Sequence, residues 1–191
     1  MSDLKLGGFN VIKHPGEDAY LLVMESALHK LGILNHTGGG FDPERGDSTL
    51  MDTAAAEAQE ESGLVVRPKA LIARYFYPDE TPKRLHSIYE SEAIGGRITP
   101  SDEHPFVGYV EYREILWLGE KGKLRGPAVL ETIERVRSGN YQSDSDEPRV
   151  VHEDSTRQAK EAMRQGRSVQ HPEIWIPRIV PFAGVQLGLN T

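Results

Sequence analysis

The sequence predicts an α+β fold in which helices cover a mixed β-sheet sandwich. Two observations lead there. Short apolar runs bounded by glycine and proline recur on both sides of one alanine-rich helical stretch, and a second amphipathic helix follows late in the chain. Several strands, a helix, more strands and then helices is the order of an α+β domain rather than of a strictly alternating one. The 191 residues make one substantial domain, or one domain with an elaborated end.

The elements follow in order. "AYLLVMESA" (Ala19 to Ala27) is apolar and aromatic and follows "HPGED", so it reads as a buried strand. "HKLGILN" (His29 to Asn35) comes close behind and is placed to pair with it as a hairpin. "HTGGGFDPERGD" has three glycines, a proline and several acids, which leaves only a loop. Ser48 is set to cap a helix running to about Ser62, with Gly63 ending it, and alanines at 54, 55, 56 and 58 support that helix. "KALIARYFYP" (Lys69 to Pro78) and "HSIYESEAI" (His86 to Ile94) alternate as strands, and "PFVGYVEYREILWL" (Pro105 to Leu118) reads as one or two more. In "GPAVLETIERVRSG" (Gly126 to Gly139), Val129, Ile133 and Val136 share a helical face. "NYQSDSDEPR" is polar and reads as a linker, and "STRQAKEAMRQG" as a short polar helix. The end of the chain, "HPEIWIPRIVPFAGVQLGL", is apolar but broken by three prolines, so it is expected to be extended. Residues 1–139 are thus expected to form the domain and residues 140–191 an extension. With Trp175 among Ile174, Ile176 and Ile179, the extension is expected to clamp onto the domain or across a homodimer.

Composition narrows the function. Hydrophobic residues at 38% supply a core, and a net charge of −7 argues against a nucleic-acid backbone or an anionic membrane as main partner. No cysteine means no disulfide framework, thiolate metal site or cysteine nucleophile, which fits a cytoplasmic protein. The start "MSDLKLGGFN" lacks signal-peptide features, and runs such as "YLLVM" are too short to span a bilayer.

The chemistry is expected in "AEAQEESG". On a helix, Glu57 and Glu60 are three apart, and Glu57 and Glu61 four apart, so all three carboxylates are neighbours. Each like-charge pair of this kind costs about 0.2–0.5 kcal/mol on an exposed helix. A hard divalent cation reverses that sign, because carboxylate oxygens are its preferred ligands. The plainer explanation is a solvated acidic face.

Taken together, "GGGFDPERGDSTLMDTAAAEAQEESGL" resembles the Nudix hydrolase signature, G-x5-E-x7-R-E-U-x-E-E-x-G-U, with U a bulky aliphatic residue. Glu57, Glu60, Glu61, Gly63 and Leu64 match in spacing, and Gly39 and Gly40 resemble the opening glycines. Three departures stand out. Ala56 occupies the arginine position, the loop glutamate is at best Asp47, and the loop is two residues longer. The excess is one residue between Gly40 and Asp47 and one between Asp47 and Ala56. The resemblance implies an α/β/α sandwich around a mixed sheet, here with a C-terminal extension. It also implies hydrolysis of a nucleoside diphosphate derivative with Mg²⁺ or Mn²⁺ and an attacking water. Carried over, Glu57, Glu60 and Glu61 are the metal carboxylates, the Gly40 carbonyl is a further ligand, and Glu57 and Glu60 are the catalytic candidates. The family arginine helps orient the glutamates. Its absence implies weak catalysis, replacement by an arginine such as Arg45 or Arg74, or a catalytically idle module that only binds a nucleotide or a protein.

Lesser candidates have plain structural readings. Glu103 in "PSDEHP" sits where family members often place an extra acid, but a polar turn explains it. His86 precedes a strand and reads as structural, and no H-E-x-x-H spacing suggests zinc. Tyr75 and Tyr77 share one strand face and suit either base stacking or packing.

Overall fold

The computed structural model describes residues 4–26, 32–143, 145–151 and 179–182. Five strands form one sheet in the order β3-β1-β5-β4-β7: β1 (Leu4–Ile12), β3 (Thr37–Gly40), β4 (Leu64–Tyr77), β5 (Lys83–Gly96) and β7 (Arg149–Val150). The sheet is mixed, because β1 runs parallel to β5 while β3 and β5 run antiparallel to β1 and β4 respectively. A second sheet has the order β2-β6-β8, from β2 (Ala19–Met24), β6 (Phe106–Glu111) and β8 (Ile179–Val180).

Strand β2 is buried at every position. Tyr20, Leu22 and Met24 point into a core that also holds Ile72, Tyr75, Ile115, Leu118, Val129 and Ile133. Ala19, Leu21 and Val23 point the other way, into a core with Ala58, Leu64, Val66 and Tyr109. Helix α1 (Leu50–Ser62) covers the second core, and α2 (Tyr112–Glu120) and α3 (Pro127–Ser138) cover the first. This is an α/β/α sandwich, and a strand buried on both faces reads as an unbroken apolar run.

Several elements differ from the sequence expectation. Strand β1 was not foreseen, because Gly7 and Gly8 interrupt its apolar pattern. A side chain at Gly8 would stand 2.2 Å from the Leu50 carbonyl, so glycine there is what lets α1 lie against the strand. The cap of α1 is Thr49 rather than Ser48, in a reciprocal capping box with Asp52. The run after Pro105 is one strand followed by α2, whose Ile115 and Leu118 are buried at helical spacing. The expected hairpin partner of β2 is reduced, among the described residues, to a single Val23–Asn35 bridge.

The polar stretch after Gly139 is tied down along β4. The Gln142 amide donates to the Ile72 carbonyl at 2.9 Å, Tyr141 donates to Glu90 at 2.7 Å, and Val151 is buried. At the other sheet, Phe182 packs on Tyr109 with ring centroids 5.1 Å apart. The helix expected over 155–166 and Trp175 lie outside the described residues. Among the described residues no helix is long and apolar enough to cross a membrane.

Candidate active cleft

The glycine run of β3 and the acidic face of α1 meet at one wall of a cleft of about 630 Å³. Strand β1 brings the run into place by pairing Gly7 with Gly40, Gly8 with Gly39 and Phe9 with Gly38. The Glu57 carboxyl lies directly over Gly39, where a Cβ would come within 2.4 Å of it. Only glycine permits that approach.

The three glutamates have different surroundings. Glu61 faces the cleft with one partner on each oxygen: Oε2 accepts from the Gly38 amide at 2.9 Å and Oε1 meets His104 Nε2 at 3.1 Å, which leaves each oxygen a further lone pair. Glu57 also faces the cleft and is largely buried. Burial, and then the charges of Glu61 and Glu60, push its carboxyl up from 4.5 to about 7, while Arg45 pulls the other way. Glu60 is exposed, stands outside the cleft lining and pairs with Arg45. Gly40 lines the cleft with Glu57 and Glu61.

Arg45 comes from a 3₁₀ turn, Pro43–Arg45, inside the loop. Its Nη1 lies 3.6 Å from Glu57 Oε1, and its Nη2 contacts Glu60. Arg74 is directed elsewhere: its guanidinium donates to the Asp146 carbonyl. Asp47 does not line the cleft either. Its Oδ2 accepts from the Thr53 hydroxyl at 2.8 Å and the Asp42 amide at 3.1 Å, which fastens the loop to α1.

Glu103 lines the cleft and is exposed, but its histidine neighbour makes the closer contact with the acidic face. His104 is buried, its amide donates to Ser101 Oγ at 3.0 Å, and the hydrogen bond to Glu61 holds it above the ordinary histidine range. Sequence reasoning missed it. The available signal was the "DEHP" loop itself, where the acid drew attention instead.

The far part of the cleft carries an aromatic patch. His86 sits between Phe9 and Tyr77, with ring centroids 4.5 and 4.8 Å away, and all three line the space. Tyr75 is buried in the core. Lys5, Arg84 and Arg125 add positive charge to the lining; Arg84 pairs with Glu80 at 2.7 Å and Arg125 with Glu25. At the inner end His36 is fully buried against the Thr132 hydroxyl at 2.8 Å, and burial lowers its pKa to about 4, so it is neutral.

The donor set is one that suits a hard cation, namely two carboxylates and a glycine backbone at one wall. Among the described residues, no three acidic or histidine side chains converge as a ready-made metal cluster. Mg²⁺ requires few protein carboxylates, because water and substrate phosphate complete its shell. The residues present therefore fit such an ion through Glu57 and Glu61.

Comparison with known proteins adds the following. No family model matches the chain. Phosphatase NudJ of Escherichia coli is 30% identical over 121 residues, spanning 62% of this chain and 75% of that protein. A NUDIX hydrolase from Nitrosomonas europaea has a similar fold, with a TM-score of 0.62 at 17% identity over 78% of this chain and 79% of that one. An ADP-ribose pyrophosphatase from Streptococcus suis gives a TM-score of 0.54 at 23% identity, covering 77% of this chain and 98% of that one.

Proposed function

The chain belongs to the Nudix hydrolases, and from that premise we propose that it hydrolyses a pyrophosphate bond in a small nucleoside diphosphate derivative, using Mg²⁺ or Mn²⁺ held on the acidic face of α1. One observation carries the reading. Glu57 is pressed over Gly39 beside two other carboxylates, which pushes its carboxyl up to about 7. Such an arrangement costs folding energy unless a cation answers it.

Glu57 and Glu61, with the Gly40 carbonyl, would hold the ion, with Glu60 beside them on the helix. Once bound, the ion would polarise the phosphoryl oxygens and lower the pKa of a coordinated water. The chain's own residues do the rest. The Gly38 amide and His104 fix the Glu61 carboxylate, so it needs no reorganisation when charge develops. Lys5 brings a cationic group to the cleft lining, and Arg84 and Arg125, held there by Glu80 and Glu25, offer guanidinium donors to an anionic substrate. The Phe9–His86–Tyr77 patch offers a face for a planar base.

The test is a panel of ADP-ribose, dinucleoside polyphosphates, nucleotide sugars and nucleoside triphosphates, each with Mg²⁺ and with Mn²⁺. We expect turnover of at least one that is abolished by chelator and reduced about 10²–10⁴-fold in Glu57→Gln. Failure on the whole panel, with no Mn²⁺ binding to the wild-type protein, would refute the proposal.

A further inference from the structure

We propose that Arg45 is a positioning residue of the active cleft, supplying from the loop the guanidinium that α1 lacks at Ala56. The inference rests on the reading of the acidic face given above, but concerns a residue that reading leaves without a role.

Four observations converge. First, the loop is longer than the family spacing by two residues and builds the 3₁₀ turn that ends at Arg45. Second, that turn is a made structure rather than slack. Asp42 caps it through the Glu44 amide at 3.0 Å, and Gly46 closes it with φ 98°. Third, Asp47 fastens the turn to the helix through Thr53 at 2.8 Å, so the Arg45 backbone has a fixed distance to α1. Fourth, the guanidinium ends between Glu57 and Glu60, 3.6 Å from the first and in contact with the second.

Ala56 is exposed and immediately precedes Glu57. An arginine there would stand four residues before Glu60, on the same helical face. Both positions therefore put a guanidinium within reach of Glu60. The longer loop and the missing helical arginine are two halves of one rearrangement. A planar fork can hold two carboxylates on separate points of a helix at once, which a lysine ammonium cannot do equally well. The exposed pair with Glu60 adds little stability, both side chains being about half exposed, whereas Glu57 is largely buried, so a cation beside it counts for more in the metal-free protein. Orientation of the two glutamates, and partial neutralisation of their repulsion, is what the geometry supplies.

The experiment compares the full-length wild type with Arg45→Ala, Arg45→Lys and the double variant Arg45→Ala/Ala56→Arg. On whichever substrate the wild type turns over, Arg45→Ala should lower kcat by about tenfold or more, the range expected for misplaced groups. KM should stay unchanged, because Arg45 acts through carboxylates and not on substrate. Arg45→Lys should recover part of the loss, and Ala56→Arg in the Arg45→Ala background most of it. An arm without substrate follows metal-free melting at low ionic strength. There Arg45→Ala should melt a few degrees lower, Ala56→Arg should restore the midpoint, and high salt should shrink the difference. The inference is overturned if Arg45→Ala keeps the wild-type kcat, or if KM rises with kcat intact. A double variant that melts like wild type yet stays as slow as Arg45→Ala also overturns it. If the wild type turns over nothing, the proposed activity fails. The melting arm then still decides, and identical midpoints for wild type and Arg45→Ala would end the inference.

Discussion

Replacing Glu57 by glutamine should stabilise the metal-free protein above pH 7 and leave it unchanged near pH 5. The folded carboxyl titrates at about 7 against 4.5 ordinarily, mainly from burial and then from Glu61 and Glu60. A raised folded value means that the native state keeps a proton the unfolded chain has already released. Stability is therefore full below pH 4.5 and falls as pH rises to 7, after which it is flat. Each pH unit of that window is worth about 1.4 kcal/mol, so the upper bound is about 3 kcal/mol. Glutamine mimics the protonated acid and avoids this loss, but gives up the pair with the exposed Arg45, which offsets a small part of the gain. Glu57 is not fully buried, so solvent screening removes about half of that bound, and the net gain at pH 8 should be about 1–2 kcal/mol, or roughly 3–6 °C for a chain of this size. Thermal melts in chelator at pH 5 and pH 8 measure it. The raised His104 shifts stability in the same direction, but it is common to both proteins and cancels in the comparison. Parallel pH profiles for wild type and Glu57→Gln would refute the reasoning.

Other substitutions divide by the same logic. Glu61→Gln should destabilise the protein by about 1–3 kcal/mol in a urea titration, because the carboxylate already satisfies the Gly38 amide and His104. Gly39→Ala should remove activity while circular dichroism stays native, since its methyl would take the place of the Glu57 carboxyl. Added Mn²⁺ should raise the melting point of wild type but not of Glu57→Gln, because only a ligand specific to the folded state stabilises it. Ending the chain at Gly139 should lower the melting point by several degrees, as Tyr141, Gln142 and Val151 then leave β4 and the core. A truncated protein that melts like the full chain would show these contacts to be idle.

Much of the fold was legible because burial on two faces leaves a simple trace. Strand β2 reads as apolar at every position because both cores need it. The alanine helix was legible for a related reason: small residues at Ala54 and Ala58 sit where α1 is wholly buried. Strand β1 was hidden, since the close approach of α1 requires glycine at position 8 and the neighbouring Gly39 carbonyl and His86 leave little room for a side chain at Gly7. The α2 run misled because Tyr112, Ile115 and Trp117 are all residue types favoured in strands. Only the depth of Ile115 and Leu118 in the core, a tertiary fact, decides for helix.

At the site, spacing along one helix placed the three glutamates together, but it could not assign them different surroundings. Those surroundings come from elements far away in sequence: Gly38 and His104 claim Glu61, burial over Gly39 isolates Glu57, and Arg45 claims Glu60. Reading Ala56 as a lost arginine follows the linear pattern, whereas catalysis depends on where a charge stands and not on which residue number carries it. A loop that is longer by two residues and pinned by Asp47 can return a guanidinium to the helix from outside. The two departures from the pattern explain each other once they are placed in space. A chain with the helical alanine but without the longer loop should therefore have slack glutamates and poor turnover, and deleting Pro43 and Glu44 here should reproduce that defect. Ala56→Arg in the shortened loop should then restore the rate, and a shortened loop that works unaided would show that neither arginine is needed.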